Sequence, residues 1–315
     1  MHTVSHVAAS HAGGDVVRLN DLVVAAGEEA MLRACGLDSL DALFAARGAA
    51  SLDKPGLASW RTRERIELDD GAPAAGADGA LGTHPTAGGA PLVTLYLKRY
   101  SNPPVAARRA VLRSDHDARS LAGVEWNLMR QLRERGIPCP VGVALGEEFR
   151  AGREVRSAVL ARAVPGRSLE RLLAEPGALD RGTLRSVLQA TARLVAKFHG
   201  CGWVHRDLYL AHLFFDPTAV PEQGLHIIDL QRVIRPRCCL NRWIVKDLAS
   251  LNYSAPRGVI SRSDRVRWLR TYLDAARLGV AGRVLAFRVV GKTQQIARHD
   301  HRRTLRLTGY GGNAR

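Results

Sequence analysis

Two aspartates near the middle of the chain are the residue type that phosphoryl transfer requires. Asp207 lies in the tripeptide His205-Arg206-Asp207, which follows an apolar helical segment and a glycine turn. Asp229 ends a short apolar segment twenty-two residues later. One such aspartate can orient or deprotonate an attacking hydroxyl, and the other can hold Mg²⁺ on nucleotide phosphates. The spacing indicates a phosphotransfer site, although an aspartate after an apolar strand is also a common turn cap.

A lysine and a glutamate upstream complete the set. Lys98 lies in a predicted strand at 91–100, and Glu125 lies in a predicted helix at 116–135. A strand lysine can contact α- and β-phosphates while a helix glutamate orients it. Each residue alone would be an ordinary exposed residue. The ordered set, with each member on a suitable element, predicts a kinase-like fold.

The elements that position these residues fall into a strand-rich part followed by a helix-rich part. Alternating apolar residues predict strands, and the clearest helix, at 183–199, carries apolar residues at helical spacing. Ser168 is the expected N-cap of a short helix before it. The predicted strands span 61–68, 91–100 and 153–164, and residues 136–149 are expected to open with turn residues and to continue as a strand.

This order predicts an α+β, two-lobed, protein-kinase-like fold with a ligand cleft between the lobes. The β-rich N-lobe is expected at 16–164 and the mainly helical C-lobe, with the catalytic loop and a basic C-terminal region, at 165–315. Residues 1–15 are expected to be a disordered leader. The Gly/Ala/Pro-rich residues 70–91 are expected to be a flexible loop within the N-lobe.

The sequence resembles the lipopolysaccharide kinase family, the sugar kinases that phosphorylate heptose or Kdo in the inner core of lipopolysaccharide. The resemblance covers roughly residues 90–275 and is specific at HRDxYxxH and IDLxR. It implies that Asp207 is the catalytic aspartate and Asp229 the magnesium ligand. It also implies that Lys98 and Glu125 form the ion pair that positions ATP.

Three further residues take roles from the same resemblance. His212 stands five residues after Asp207, where protein kinases carry a metal-binding asparagine. Its imidazole would contact a metal or a phosphate, or else form a hydrogen bond within the loop. Asp247 resembles the helix aspartate that braces the catalytic loop through backbone hydrogen bonds. Arg232 would face an anionic acceptor.

The phosphate-binding glycine loop is the poorest match. Such a loop should precede the second strand and bind phosphate with backbone N–H groups. Residues 48–60 are the candidate, with Gly48 and Gly56, although they do not form a GxGxxG motif. A degenerate loop leaves a non-catalytic pseudokinase open as an alternative function.

Positive charge is concentrated at the C-terminal end. The net charge is +16, and residues 231–315 hold 19 lysines and arginines against 4 aspartates and glutamates. A one-sided basic surface favours an anionic partner, here the glycolipid acceptor and the surface of the inner membrane. Nucleic acid is a weaker candidate because no recognition motif or aromatic platform accompanies the charge. An arginine-rich composition without functional meaning is the alternative.

Location and function follow from these patterns. No segment approaches the ~20 apolar residues of a spanning helix, no signal peptide is evident, and the cysteines form no CxxC pair. The expected location is the cytoplasm, with peripheral contact on the cytoplasmic face of the inner membrane. The expected function is ATP- and Mg²⁺-dependent phosphorylation of a heptose or Kdo hydroxyl. A protein or small-molecule kinase of the same fold is the second alternative.

Overall fold

The computed structural model describes residues 16–48, 50–52, 58–69, 92–112 and 117–307, and the chain divides into two compact units. Of the described residues, the first unit comprises those up to Pro104 together with Ser120–Glu134 and Val141–Arg162. The second comprises Val105–Arg119, Arg135–Pro140 and Ala163–Arg315. Two short segments that precede the predicted boundary at 164 therefore belong to the second unit. The predicted leader at 1–15 and loop at 70–91 lie outside the described residues.

Most of the long strands precede most of the long helices along the described chain. The strands are β1 (Val16–Leu19), β2 (Leu22–Ala25), β3 (Ala50–Ser51), β4 (Arg61–Asp69), β5 (Leu92–Ser101), β6 (Gly142–Arg150), β7 (Arg153–Arg162), β8 (Arg167–Ser168), β9 (Leu213–Phe215) and β10 (Leu225–Ile227). The α-helices are α1 (Glu29–Ala34), α2 (Leu40–Ala45), α3 (Val105–Leu112), α4 (Leu121–Glu134), α5 (Leu169–Ala174), α6 (Arg181–Gly200), α7 (Pro221–Gly224), α8 (Leu240–Ser254), α9 (Arg262–Tyr272) and α10 (Val280–Leu307). Short 3₁₀ turns span Leu210–His212 and Leu230–Arg232.

The described strands of the first unit form one antiparallel sheet. Its order is β1-β2-β6-β7-β5-β4-β3, so β5 pairs on both sides, with β4 and β7. Because side chains alternate along a strand, Leu95 and Leu97 are fully buried in the core, whereas Lys98 lies on the opposite face. The strand predicted at 91–100 and the helix predicted at 116–135 are confirmed with shifted ends.

The start of α4 is fixed by two side chains. The Ser120 hydroxyl accepts a hydrogen bond from the Gly123 N–H at 2.9 Å. The buried Glu154 carboxylate of β7 accepts one from the Leu121 N–H at 3.2 Å. These bonds satisfy N–H groups that a helix start leaves free, and they place the first turn of α4 on the sheet. They thereby set the position of Glu125 one turn later.

The second unit combines α-helices with a small sheet ordered β10-β9-β8. Asp180 caps α6, since its carboxylate accepts the N–H groups of Gly182 at 2.7 Å and Thr183 at 3.0 Å. The predicted cap Ser168 is confirmed by a bond of 3.3 Å from the Arg171 N–H. The helix predicted at 183–199 is confirmed as α6. The packing partners of these helices are α9 for α6 and α10 for α8.

Two further observations bear on membrane and redox chemistry. Among the helices of the described residues, none is both long and apolar enough to cross a membrane. All five cysteines are free thiols.

Candidate active site

The loop that carries Asp207 is held by α8. Asp247 of this helix is fully buried, and its two oxygens accept the N–H groups of His205 at 2.6 Å and Arg206 at 2.7 Å. The Nε2 atom of His199 lies 3.3 Å from the same carboxylate. Arg206 has a φ of 68°, a left-handed conformation that costs about 1–3 kcal/mol in a non-glycine residue. Hydrogen bonds to a charged oxygen offset that cost, so the bracing role predicted for Asp247 is confirmed.

Two histidines connect the two aspartates. His205 is fully buried, and its Nε2 lies 2.9 Å from the carbonyl oxygen of Ile228, the residue before Asp229. Burial lowers the pKa of His205, so its neutral ring donates this bond from Nε2. The ring of His212 stacks on that of His205 with 5.6 Å between centroids. The Nδ1 atom of His212 lies 2.7 Å from the carbonyl oxygen of Asp207.

Asp229 and His212, the two predicted metal ligands, lie next to each other. The Nε2 atom of His212 is 3.8 Å from Oδ2 of Asp229. Mg²⁺ prefers oxygen ligands and is commonly bound by one or two carboxylates plus substrate phosphates and water. The carboxylate of Asp229 fits that pattern, whereas the imidazole of His212 suits other metals better. Within the described ranges, no group of three or more His, Cys, Asp or Glu side chains forms a metal site.

Cationic groups surround Asp207. The Nη1 atom of Arg232 lies 2.7 Å from Oδ2 of Asp207, which places the arginine beside the predicted catalytic group. Lys246 of α8 donates a hydrogen bond to the carbonyl oxygen of Arg206. Burial and then repulsion from Arg232 lower the pKa of Lys246, and attraction to Asp207 opposes that shift. The sequence reasoning missed Lys246, although its position directly before Asp247 in a chain with few lysines was a usable signal.

An aromatic side chain lies at the start of α8. The guanidinium of Arg206 is 5.3 Å from the ring centroid of Trp243, and that of Arg242 is 5.8 Å from it. Both distances fall within the range of cation–π contacts. The Arg206 backbone is thus held by Asp247 while its side chain is held by Trp243.

In the first unit, Lys98 and Glu125 form a close ion pair. Their side chains are 16% and 8% exposed, so the pair is shielded from solvent by β5 and α4. Truncating one partner of such a pair leaves the other charge buried and unpaired, which is strongly unfavourable. The predicted pairing is therefore present, and its role in positioning nucleotide phosphates stays a prediction.

Gly48 has a packing role in the predicted phosphate loop. Its N–H donates to Oε2 of Glu64 at 2.7 Å, so this group is engaged within the protein. A Cβ atom at Gly48 would lie 2.4 Å from the carbonyl oxygen of Arg65, so glycine is required for the close approach of β4. Gly56, the second predicted glycine, lies outside the described residues.

Comparison with known proteins gives the family. Residues 107–272, more than half of the chain, match the Lipopolysaccharide kinase (Kdo/WaaP) family. The chain belongs to this family. The matched region contains the whole loop around Asp207, the turn at Asp229 and the bracing helix α8.

Two curated relatives show the same likeness. The lipopolysaccharide core heptose(I) kinase WaaP of Pseudomonas aeruginosa is 33% identical over 158 residues, which are 47% of this chain and 58% of the relative. The 3-deoxy-D-manno-octulosonic acid kinase of Stenotrophomonas maltophilia is 34% identical over 134 residues, which are 40% of this chain and 49% of the relative. The matches thus span about half to three fifths of these relatives' lengths.

A solved structure agrees with the fold. The structure of WaaP in complex with acyl carrier protein aligns with a TM-score of 0.59 at 24% identity and covers 89% of this chain and 98% of that one. At this level of identity the likeness concerns the fold. The predicted α+β, kinase-like architecture is confirmed.

Proposed function

We propose that the protein is an ATP-dependent kinase that phosphorylates a heptose or Kdo hydroxyl of the lipopolysaccharide inner core, in the cytoplasm. One observation supports this most strongly. Asp207 and Asp229 are linked through His205 and His212, in a loop braced by Asp247, and the chain belongs to the lipopolysaccharide kinase family. The heptose and Kdo acceptors come from the names of the relatives.

In this proposal Asp207 is the catalytic residue. Its carboxylate orients the acceptor hydroxyl and takes its proton as the oxygen bonds to the γ-phosphorus and the bond from phosphorus to the ADP oxygen breaks. Lys98, held by Glu125, contacts the α- and β-phosphates. Catalysis rests on positioning and on stabilisation of charge.

The residues present suit a magnesium ion that is bound by few protein ligands. Asp229 would hold it, with His212 as a neighbour, and the ion would neutralise negative charge on the β- and γ-phosphates. Lys246 supplies positive charge close to Asp207, where the transferred phosphoryl group arrives. Its hydrogen bond to Arg206 keeps that charge in place.

The acceptor in this proposal is an anionic sugar. Arg232 lies half exposed beside Asp207, with its side chain 51% exposed, so it can bind a carboxylate or phosphate group near the reacting hydroxyl. The arginines on Trp243 add positive charge to the same unit. A neutral acceptor would offer this positive charge no counter-ion.

Phosphate transfer from γ-labelled ATP to extracted lipid A–core glycolipid tests the proposal. Asp207→Asn is expected to lower transfer by about 10²–10⁴-fold, the usual contribution of a general base. Asp274→Asn, an exposed aspartate of the same unit, is the matched control and is expected to retain activity. Label in protein alone would point to a protein kinase. Nucleotide binding without transfer to any acceptor would point to a pseudokinase.

An acyl carrier protein is proposed as a second partner. The solved structure of the relative holds WaaP in complex with one, and the second unit of this chain contains an apolar cavity of about 210 Å³ whose walls suit an acyl chain. Its lining includes Leu188, Leu248, Leu251, Leu269 and Val289. Acylated carrier protein is expected to raise the melting temperature of this protein more than the unacylated form does. Equal shifts would contradict the proposal.

A further inference from the structure

The helix α10 packs on the second unit by one side only. On this inner side Thr293 accepts a hydrogen bond from the side chain of Asn252 in α8 at 3.0 Å. Asp300 accepts one from the Tyr253 hydroxyl at 2.5 Å. At 100° per residue, the opposite side of the helix passes through Val284, half a turn from Thr293. That side faces away from the residues on which α10 packs.

The opposite side is apolar over its first two turns. Val280, Val284 and Phe287 lie on one line at spacings of four and three residues, and they are 78%, 52% and 81% exposed. A surface helix normally carries polar residues opposite its packed face. Single exposed apolar residues are common, but an aligned group that contains a phenylalanine marks an interaction surface.

Arginines surround and extend this apolar line. Arg283 and Arg288 flank it on either side, and Arg298 and Arg302 continue it toward the C-terminal end of the helix. All four lie at exposed positions. In sequence, α10 holds seven lysines and arginines against the single acid Asp300, which is engaged on the inner side. The outward face, defined as Val280, Val284, Phe287, Arg298 and Arg302, therefore combines apolar and cationic residues without an acid.

We propose that the outward face of α10 docks on an anionic membrane surface, with Val284 and Phe287 in the boundary between headgroups and acyl chains. Helices that lie in a membrane interface carry large apolar side chains on one face and basic residues beside them, and the arginines then contact acidic headgroups. A membrane is favoured over a folded acidic protein because the apolar line is bordered by cations on both sides. The inference concerns a surface separate from the phosphotransfer site and stands without the proposed activity.

Vesicle co-sedimentation of the full chain tests this. The vesicles contain phosphatidylethanolamine and phosphatidylglycerol, and neutral phosphatidylcholine vesicles serve for comparison. The wild type is expected to bind the anionic vesicles, and Phe287→Ser or the pair Arg298→Glu and Arg302→Glu should weaken binding about tenfold. Val220→Ser, at an exposed position that precedes α7, and Arg262→Glu, at an exposed position of α9, are matched controls that should bind within about twofold of wild type.

A spectroscopic readout locates the contact. The Phe287→Trp variant is expected to show a blue-shifted emission on anionic vesicles that the wild type, with its five native tryptophans, does not show. Equal binding to both vesicle types, or equal binding by the outward-face variants, would overturn the proposal. The proposal would also be overturned if Phe287 were needed for dimer formation, or for binding an acyl carrier protein, and not for binding vesicles.

The membrane and kinase proposals fail separately. Asp207→Asn should bind vesicles like the wild type, whereas Phe287→Ser should phosphorylate a delipidated core oligosaccharide at the wild-type rate. Loss of both properties in a Phe287→Ser variant whose melting temperature equals that of the wild type would overturn the assignment of this face to membrane binding alone.

Discussion

The hydrogen bonds from Asp247 to the loop can be tested by graded removal. In Asp247→Asn one side-chain oxygen remains, and an NH₂ group replaces the other. One buried backbone N–H then loses its acceptor, which should lower the free energy of unfolding by about 1–3 kcal/mol. In Asp247→Ala the N–H groups of both His205 and Arg206 lose their acceptors. That variant should lose roughly 3–5 kcal/mol, a large part of the ~5–15 kcal/mol of a typical domain.

Urea unfolding followed by tryptophan fluorescence measures the stability of each variant, and phosphate transfer at saturating substrate measures turnover. Because the loop positions Asp207, the asparagine variant is expected to fold and to lose about 100-fold in kcat, the cost of misplacing a catalytic group by about 1 Å. Asp274→Asn should match the wild type in both assays. If Asp247→Asn keeps wild-type turnover and unfolds within 0.5 kcal/mol (about the scatter of surface substitutions) of the wild type, the hydrogen bonds do not hold the loop.

Three further changes give expected outcomes. Gly166 has a φ of +82°, and Gly166→Ala places a Cβ 2.1 Å from the carbonyl oxygen of Phe215. Urea unfolding should therefore show that the free energy of unfolding falls by about 2–4 kcal/mol, and a fall of less than about 1 kcal/mol would contradict this geometry. Burial would raise the pKa of Asp264, but hydrogen bonds from Ser261 and Arg181 lower it from 3.8 to about 2. The ionised Asp264 carboxylate therefore stabilises the fold above pH 4, and this stabilisation is lost as the pH falls toward 2. Between pH 6 and pH 2.5, urea melts should show that the wild type loses about 1–2 kcal/mol more unfolding free energy than Asp264→Asn does. Lys98→Met should weaken ATP binding at least tenfold by calorimetry, and unchanged affinity would refute its phosphate contact.

Residues that lie on regular elements were predicted well from the sequence. A two-residue period places Lys98 on a strand and a 3.6-residue period places Glu125 on a helix, and the resemblance to the family implies that they pair. Asp207 and Asp229 could be identified because each lies in a short motif with a characteristic spacing, and Asp247 was identified through the resemblance to the family.

Tertiary contacts that no sequence motif marks were not predicted. The pair Arg99–Glu64, which is nearly buried, joins residues thirty-five apart on neighbouring strands, and no periodicity specifies it. The packing role of Gly48, one of two glycines in the candidate phosphate loop, was not predicted because a glycine in sequence does not reveal whether it allows a close approach of backbones. Lys246 was missed because its value lies in a hydrogen bond to a loop forty residues earlier.

The helix α8 relates the two proposals. Asp247 holds the loop that carries Asp207, and Asn252 bonds to α10. The two residues are five positions apart on one helix, a rise of about 7.5 Å. So short a stretch of helix is rigid. The distance between the outward face of α10 and the loop at Asp207 is therefore fixed within this unit. If α10 lies on the membrane, Asp207 is held at a constant distance from the lipid surface. A lipid-linked sugar would then meet the catalytic loop without a search in three dimensions, and a delipidated sugar would lose that advantage in KM but not in kcat.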